Sequence, residues 1–216
     1  MIRPFLTAIT LALATTACQT TPYYAAMEQL GIEKRDLLVD RVEDTRGSQA
    51  GAQEAFRKAL DVYRDTADAD TTRLEAAYDR FDGAYDNAKD KSDAVKSDIR
   101  TVKEVASDLF AEWEEELAQY QDASLRASSQ AQLSETQTRY AELERALDAS
   151  AAKMDPVLLA FRDRVLFLKH NLNARSIAQL KGEEARIAGE VTTLVAELDQ
   201  SIAEANRFIA GMQGGV

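Results

Sequence analysis

One histidine and one cysteine, His170 and Cys18, set narrow limits on the chemistry open to this 216-residue chain. A metal centre needs several His, Cys or carboxylate ligands converging on one point. A di-iron bundle in particular needs a Glu-x-x-His motif from each of two helices, which a single histidine excludes. A serine nucleophile needs a base, and His170 stands without an elbow motif around any serine. Lys181-Gly182 is in the reverse order for a phosphate-cradling loop, and no other Gly-rich run offers one. The acidic runs Glu114-Glu115-Glu116 and Asp61…Asp65 read as solvated helix faces, not as acid–base pairs. The residues therefore predict no enzyme: no catalytic, metal-binding or cofactor-binding residues, and no cofactor.

Cys18 carries a different chemistry. Met1-Ile2-Arg3-Pro4-Phe5 opens an uncharged apolar run that closes on Leu13-Ala14-Thr15-Thr16-Ala17-Cys18. A basic residue, an apolar stretch and then small residues is the layout of a secretory signal peptide. A cysteine directly after the small residues makes it a lipoprotein signal, with Cys18 as the lipidated first residue of the mature chain. Thr15 departs from the Leu that this motif prefers, so the competing readings are cleavage by the ordinary peptidase after Ala14 or Ala17, which would leave a soluble periplasmic protein, or no cleavage at all. A lone free thiol in an oxidising compartment would invite wrong pairing, which favours lipidation. Gln19 stands where Asp would favour inner-membrane retention, so the expected location is the periplasmic face of the outer membrane.

Charge removes further classes. The formal charge is −11, and loss of residues 1–17 takes away one Arg and no acid. Such an acidic chain is poorly suited to nucleic acid or to anionic lipid headgroups. The chain ends in Gly215-Val216 and not in a basic residue, which disfavours a covalent peptidoglycan tether.

The elements that position these residues are helices. Leu74, Tyr78, Phe81, Tyr85, Ala88, Ser92, Val95, Ile99, Val102, Ala106, Leu109 and Trp113 follow one another at steps of four and three, with Leu117 and Tyr120 closing the series. This is the 3.5-residue period of a coiled-coil seam. Ala88 and polar Ser92 thin it, Asp70 or Thr71 can cap it, and Ser124 to Ser129 loosen its end. About 50 residues at 1.5 Å each make a rod of roughly 75 Å. An earlier series, Leu38, Val42, Thr45, Gln49, Ala52, Phe56, Ala59 and Tyr63, keeps the spacing but has two polar members between Gly47 and Gly51. That predicts a soft middle, because each glycine costs about 1 kcal/mol relative to Ala. Asp68-Ala69-Asp70-Thr71-Thr72 is the turn between the two.

A third series, Leu133, Tyr140, Leu147, Met154, Phe161 and Leu168, repeats every seven residues and keeps its phase across Pro156. The preserved phase favours one kinked helix over a new helix capped by Asp155. Asn171, Asn173 and Ser176 break the phase, and Ile177, Leu180, Ile187, Val191, Leu194, Leu198, Ile202 and Phe208 form the last series, before a frayed tail from Gly211. Four helices joined by short turns alternate in direction, which predicts an all-α fold, an elongated antiparallel helical bundle.

Within the third series, Val157 to Leu168 holds more apolar residues than one seam needs. One reading buries that helix on several sides. The other makes a contact patch of it, with Leu166 and Phe167 at the surface, Phe161 and Leu168 in the core, and Arg162, Arg164, Lys169 and His170 as a basic rim. The candidate patch is thus Arg162, Leu166, Phe167, Lys169 and His170. His170 alone reads as a cation placed at a helix C-terminus by the dipole.

Tyr23-Tyr24-Ala25-Ala26-Met27-Glu28, Gly31 to Leu38 with Arg41-Val42-Glu43-Asp44, and Met154-Asp155-Pro156-Val157 through Ala174 resemble the DUF2959 family of predicted proteobacterial lipoproteins, a domain of unknown function. The resemblance implies a helical envelope lipoprotein and brings no catalytic residues with it. Some relatives bear a DNA-repair ATPase label, which the missing phosphate loop and the export signal argue against here. The expected organisation is a signal peptide over residues 1–17, a lipidated N-terminus and short tether over 18–24, the bundle over 25–212 and a tail over 213–216. The expected function is a helical spacer, scaffold or interaction surface, joined to the membrane through Cys18, with an envelope protein or a second copy as partner. The alternative is a dimerising, membrane-remodelling or sensor-like coiled coil.

Overall fold

Four long helices account for most of residues 33–214, which the computed structural model describes: α1 Lys34–Ala67, α2 Leu74–Leu117, α3 Ala123–His170 and α4 Ala174–Gln213. A short 3-10 turn, Thr71–Arg73, leads into α2. No strand occurs among the described residues. The lengths of α2 and α3 correspond to roughly 65–70 Å of helix.

Side-chain caps open α3, α4 and the 3-10 turn that leads into α2, whereas α2 itself follows Arg73 with no side-chain cap bond. Asp70 accepts bonds from the Thr72 amide (3.3 Å) and hydroxyl (3.0 Å). Asp122 accepts from the amides of Ser124 (2.7 Å) and Leu125 (3.1 Å), and Asn173 from those of Arg175 and Ser176. These bonds satisfy amides that the first helical turn leaves without partners.

The helices pack in a ring in chain order, α1 on α2, α2 on α3, α3 on α4 and α4 back on α1. Successive helices run antiparallel, so charged pairs link residues far apart in sequence. Lys34 meets Glu112 at 3.0 Å, Lys103 meets Asp148 at 2.7 Å, and Lys181 meets Asp68 at 2.9 Å. The bond to Asp148 is the chief reason that the Lys103 ammonium titrates above its ordinary range.

The core changes character along its length. Tyr63, Phe81 and Phe161 meet in sequence near one end, tilted and then edge to face, with ring centroids 5.5 and 5.8 Å apart. Phe110, Tyr140 and Phe208 meet in sequence towards the other end. Between them lie Ala52, Ala88, Ser92, Ser150 and Ser201, all fully buried. Gln49 is buried there too, its amide donating to Ser150 Oγ (3.0 Å) and Ser201 Oγ (2.8 Å). Gln49 Oε1 and Ser92 Oγ have no partner among the described residues.

Several expectations need correction. Ser124 to Ser129 do not loosen the end of α2; they are the first turns of α3, because Asp122 caps them. Tyr120 does not close the α2 seam, since α2 stops at Leu117 and Tyr120 is exposed in the connection. Tyr78 and Tyr85 are only half-buried, and Ala77 and Ala84 take the interior beside Phe81. A helix that packs on two neighbours buries a wider stripe than a two-stranded seam, and bulky amphipathic residues fall at its rim. Ile177 and Ile202 sit at the rim of α4 in the same way. The tail begins late: α4 continues to Gln213 with Met212 buried. Pro156 lies inside one uninterrupted helix.

Candidate functional site

The inner face of α3 buries Met154, Val157, Leu158, Ala160, Phe161, Val165 and Leu168. That anchorage fixes the opposite face. A proline in a helix interior removes one backbone bond and costs about 3 kcal/mol. The buried residues on both sides of Pro156 hold the helix through it, so residues before and after the proline share one surface.

On that surface Leu159 is 55% exposed and Leu166 47% exposed, one heptad apart. Arg162, Lys169 and His170 are exposed around them. Lys169 and His170 close the last turn of α3, where a cation is favoured by the helix dipole. Leu172, 40% exposed, extends the apolar surface into the α3–α4 connection.

Phe167 and Arg164 point elsewhere. Phe167 is half-buried and lines a groove of about 340 Å³ between α3 and α4, with Asp163, Arg164, Gln179, Leu180, Gly182 and Glu183. Arg164 Nη2 holds Glu183 at 2.8 Å, and Arg186 holds the same carboxylate at 2.8 Å. The bond from Arg186, with help from Arg164, keeps the Glu183 carboxyl below its ordinary range. Arg164 is thus engaged across the α3–α4 groove and is no part of an open basic rim. Leu180 accepts a 2.6 Å bond from the Tyr63 hydroxyl, and burial pushes that phenol up to about 12.

Of the candidate residues, the structure places Arg162, Leu166, Lys169 and His170 on or beside one exposed face and turns Phe167 into the α3–α4 groove. Phe161 and Leu168 are fully buried. Cys18 lies outside the described residues. Two further grooves, of about 460 and 480 Å³, have charged walls that include Glu142, Arg145 and Glu197 in one and Arg35, Glu135 and Arg139 in the other. Among the described residues no group of three or more His, Cys, Asp or Glu is placed to hold a metal. Nor is any helix among them long and apolar enough to cross a membrane.

The buried polar layer escaped the sequence reading in part. Gln49 and Thr45 stood out in α1, but Ser150 and Ser201 did not, although both fall in phase, Ser150 between buried Leu147 and Met154 and Ser201 between buried Leu198 and Ala205. A polar residue at a core phase on all four helices is the signal that would have found the layer.

A family model for proteins of unknown function, DUF2959, matches residues 23–212. The chain belongs to the DUF2959 family. The match spans all of α1, α2 and α3 and nearly all of α4, and so includes the exposed α3 face. No curated protein and no solved structure matches the chain.

Proposed function

We propose that this DUF2959 protein is a non-enzymatic lipoprotein of the cell envelope, anchored by a lipid on Cys18 at the periplasmic face of the outer membrane. Its bundle serves as a spacer that presents a contact surface to an envelope protein or to another copy of itself. The observation that carries this reading is the position of the exposed Leu159–Leu166 face. α1 begins at Lys34, level with Glu112 of α2, and Glu114 of α2 bonds Gln137 of α3. From Gln137 to Leu166 is roughly 40–45 Å along α3 at 1.5 Å per residue. An apolar face at the far end of the bundle from Lys34 suits a protein that reaches for something away from the membrane. A spacer needs rigidity and a sticky end.

The test combines fractionation with capture. A photo-cross-linking residue is placed at Leu166 in the full chain, with Cys18 present or replaced (Cys18→Ala), and intact cells are irradiated. The Cys18 chain should fractionate with membranes and form a discrete adduct. The Cys18→Ala chain should leave the membrane fraction and lose most of the adduct. Membrane association that survives Cys18→Ala would overturn the anchor, and absence of any adduct at Leu166 would overturn the contact surface.

A further inference from the structure

The exposed face of α3 has a pattern of its own. Asp155, Leu159, Arg162, Leu166 and Lys169 are all exposed, and their spacing runs four, three, four, three. That is a second 3.5-residue seam, on the side of α3 that faces away from the bundle. Its two apolar members alternate with three charged ones. Read backwards, the series is Lys169, Leu166, Arg162, Leu159, Asp155.

Laid antiparallel on itself about a two-fold axis between Arg162 and Asp163, the seam is self-complementary. Asp155 of one copy comes level with Lys169 and His170 of the other. Leu159 comes level with Leu166, twice over. Arg162 stands at the axis with Asp163 of the other copy beside it, so the close approach of two arginines is offset by two carboxylates. An isologous interface needs this property: residue i meets j, and j meets i. The charges are at hand. Neither Arg162 nor Lys169 has an ion-pair partner among the described residues. Among the described residues Asp163 pairs only with Arg164, at 3.9 Å, and Asp155 keeps 70% of its side chain exposed while it pairs with Lys96. A parallel arrangement would set Asp155 against Asp155 and Lys169 against Lys169, which like-charge repulsion opposes.

We infer that the α3 seam binds a second copy of this chain, in an antiparallel, two-fold-symmetric contact that pairs Leu159 with Leu166 and Asp155 with Lys169. The inference rests on the proposed reading of this face as a contact surface and names its partner. The contact area of one helix pair is small, so the oxidation below is run at about millimolar chain concentration, which stands in for the attachment of both copies to one membrane.

The test uses the purified full chain with Cys18→Ala, so that no other thiol competes. Chains carrying Leu159→Cys and chains carrying Leu166→Cys are oxidised mildly, alone and mixed. The mixture should give mainly the 159–166 heterodimer, several-fold above either homodimer. Asp155→Lys and Lys169→Asp should each lower that yield several-fold, and their combination should restore it, with the helical circular-dichroism signal unchanged throughout. Homodimers at least as abundant as the heterodimer, or no covalent dimer from folded chains, would overturn the inference. If the Leu166 photo-adduct in cells is then a different protein, the contact surface stands and the second copy falls. If there is no adduct at all, both fall.

Discussion

Replacing Gln49 by leucine together with Ser201→Ala should stabilise the bundle, although it removes two hydrogen bonds. Gln49 is fully buried; its amide nitrogen reaches Ser150 and Ser201, and its Oε1 reaches nothing. A neutral bond of this kind contributes about 1 kcal/mol net, so the loss is about 2 kcal/mol. Against it stands the orphaned Oε1, whose desolvation costs about 1–3 kcal/mol and which leucine does not have. Ser150 keeps a partner, because its hydroxyl donates to the Leu147 carbonyl at 2.8 Å. Ser201 would be left stranded, which is why it is changed to alanine in the same chain. Leucine also brings apolar surface to a site that excludes water, and the balance comes to about 1 kcal/mol in favour of the variant. For a domain of this size that raises the melting temperature by about 2–4 °C. Thermal and urea unfolding followed by far-ultraviolet circular dichroism would show it, with the urea slope unchanged. A fall of more than about 5 °C would refute the reasoning, since the amide network would then be worth more than the sum of its bonds.

Two more perturbations separate core from surface. Phe161→Ala should cost about 3–5 kcal/mol, because the ring is fully buried against Phe81, whereas Leu166→Ser should stay within about 1 kcal/mol in urea unfolding. Equal losses at the two positions would show that the Leu166 face is packed and not exposed. Tyr63 predicts an alkaline weakness. Burial raises its phenol from 10.0 to about 12, so the folded chain keeps the proton that the unfolded chain gives up first. Its contribution is intact below about pH 10 and is lost as pH rises towards about 12, by roughly 2–3 kcal/mol in all. Tyr63→Phe forfeits the bond to Leu180 and about 1 kcal/mol near pH 8, and should close that gap near pH 11. Melting curves of the two proteins that fall in parallel between those pH values would contradict the assignment.

Helix positions were legible because burial in a bundle imposes a period on the chain. Leu133, Tyr140, Leu147, Met154, Phe161 and Leu168 are all buried, as their sevenfold spacing requires. The ends of α2 were misread for a local reason. Tyr120 continues the period by accident of spacing, while Asp122 caps a new helix two residues later and decides where the chain turns. Capping bonds act over three residues and outrank a period that only neighbouring helices can enforce. Tyr78 and Tyr85 were misplaced for the opposite reason. Whether a stripe is one residue wide or two depends on how many helices press on it, and that number belongs to the bundle, not to the segment.

The contact face was half legible, and Pro156 explains which half. Leu166, Arg162 and Lys169 stand after the proline, in a stretch whose apolar excess is visible in the sequence alone. Asp155 stands before it. Had Pro156 opened a new helix, Asp155 would have been its N-cap, with the carboxylate turned back onto backbone amides. In the continuous helix Asp155 projects from the same face as Leu159, reaches Lys96 across the α2–α3 boundary, and stays largely exposed. The charge that makes the seam self-complementary therefore exists only because the helix runs through its proline. Core contacts on both sides, Met154 before and Val157 and Phe161 after, hold it on that course. The interior of α3 thus sets the pattern that its exterior offers to a partner.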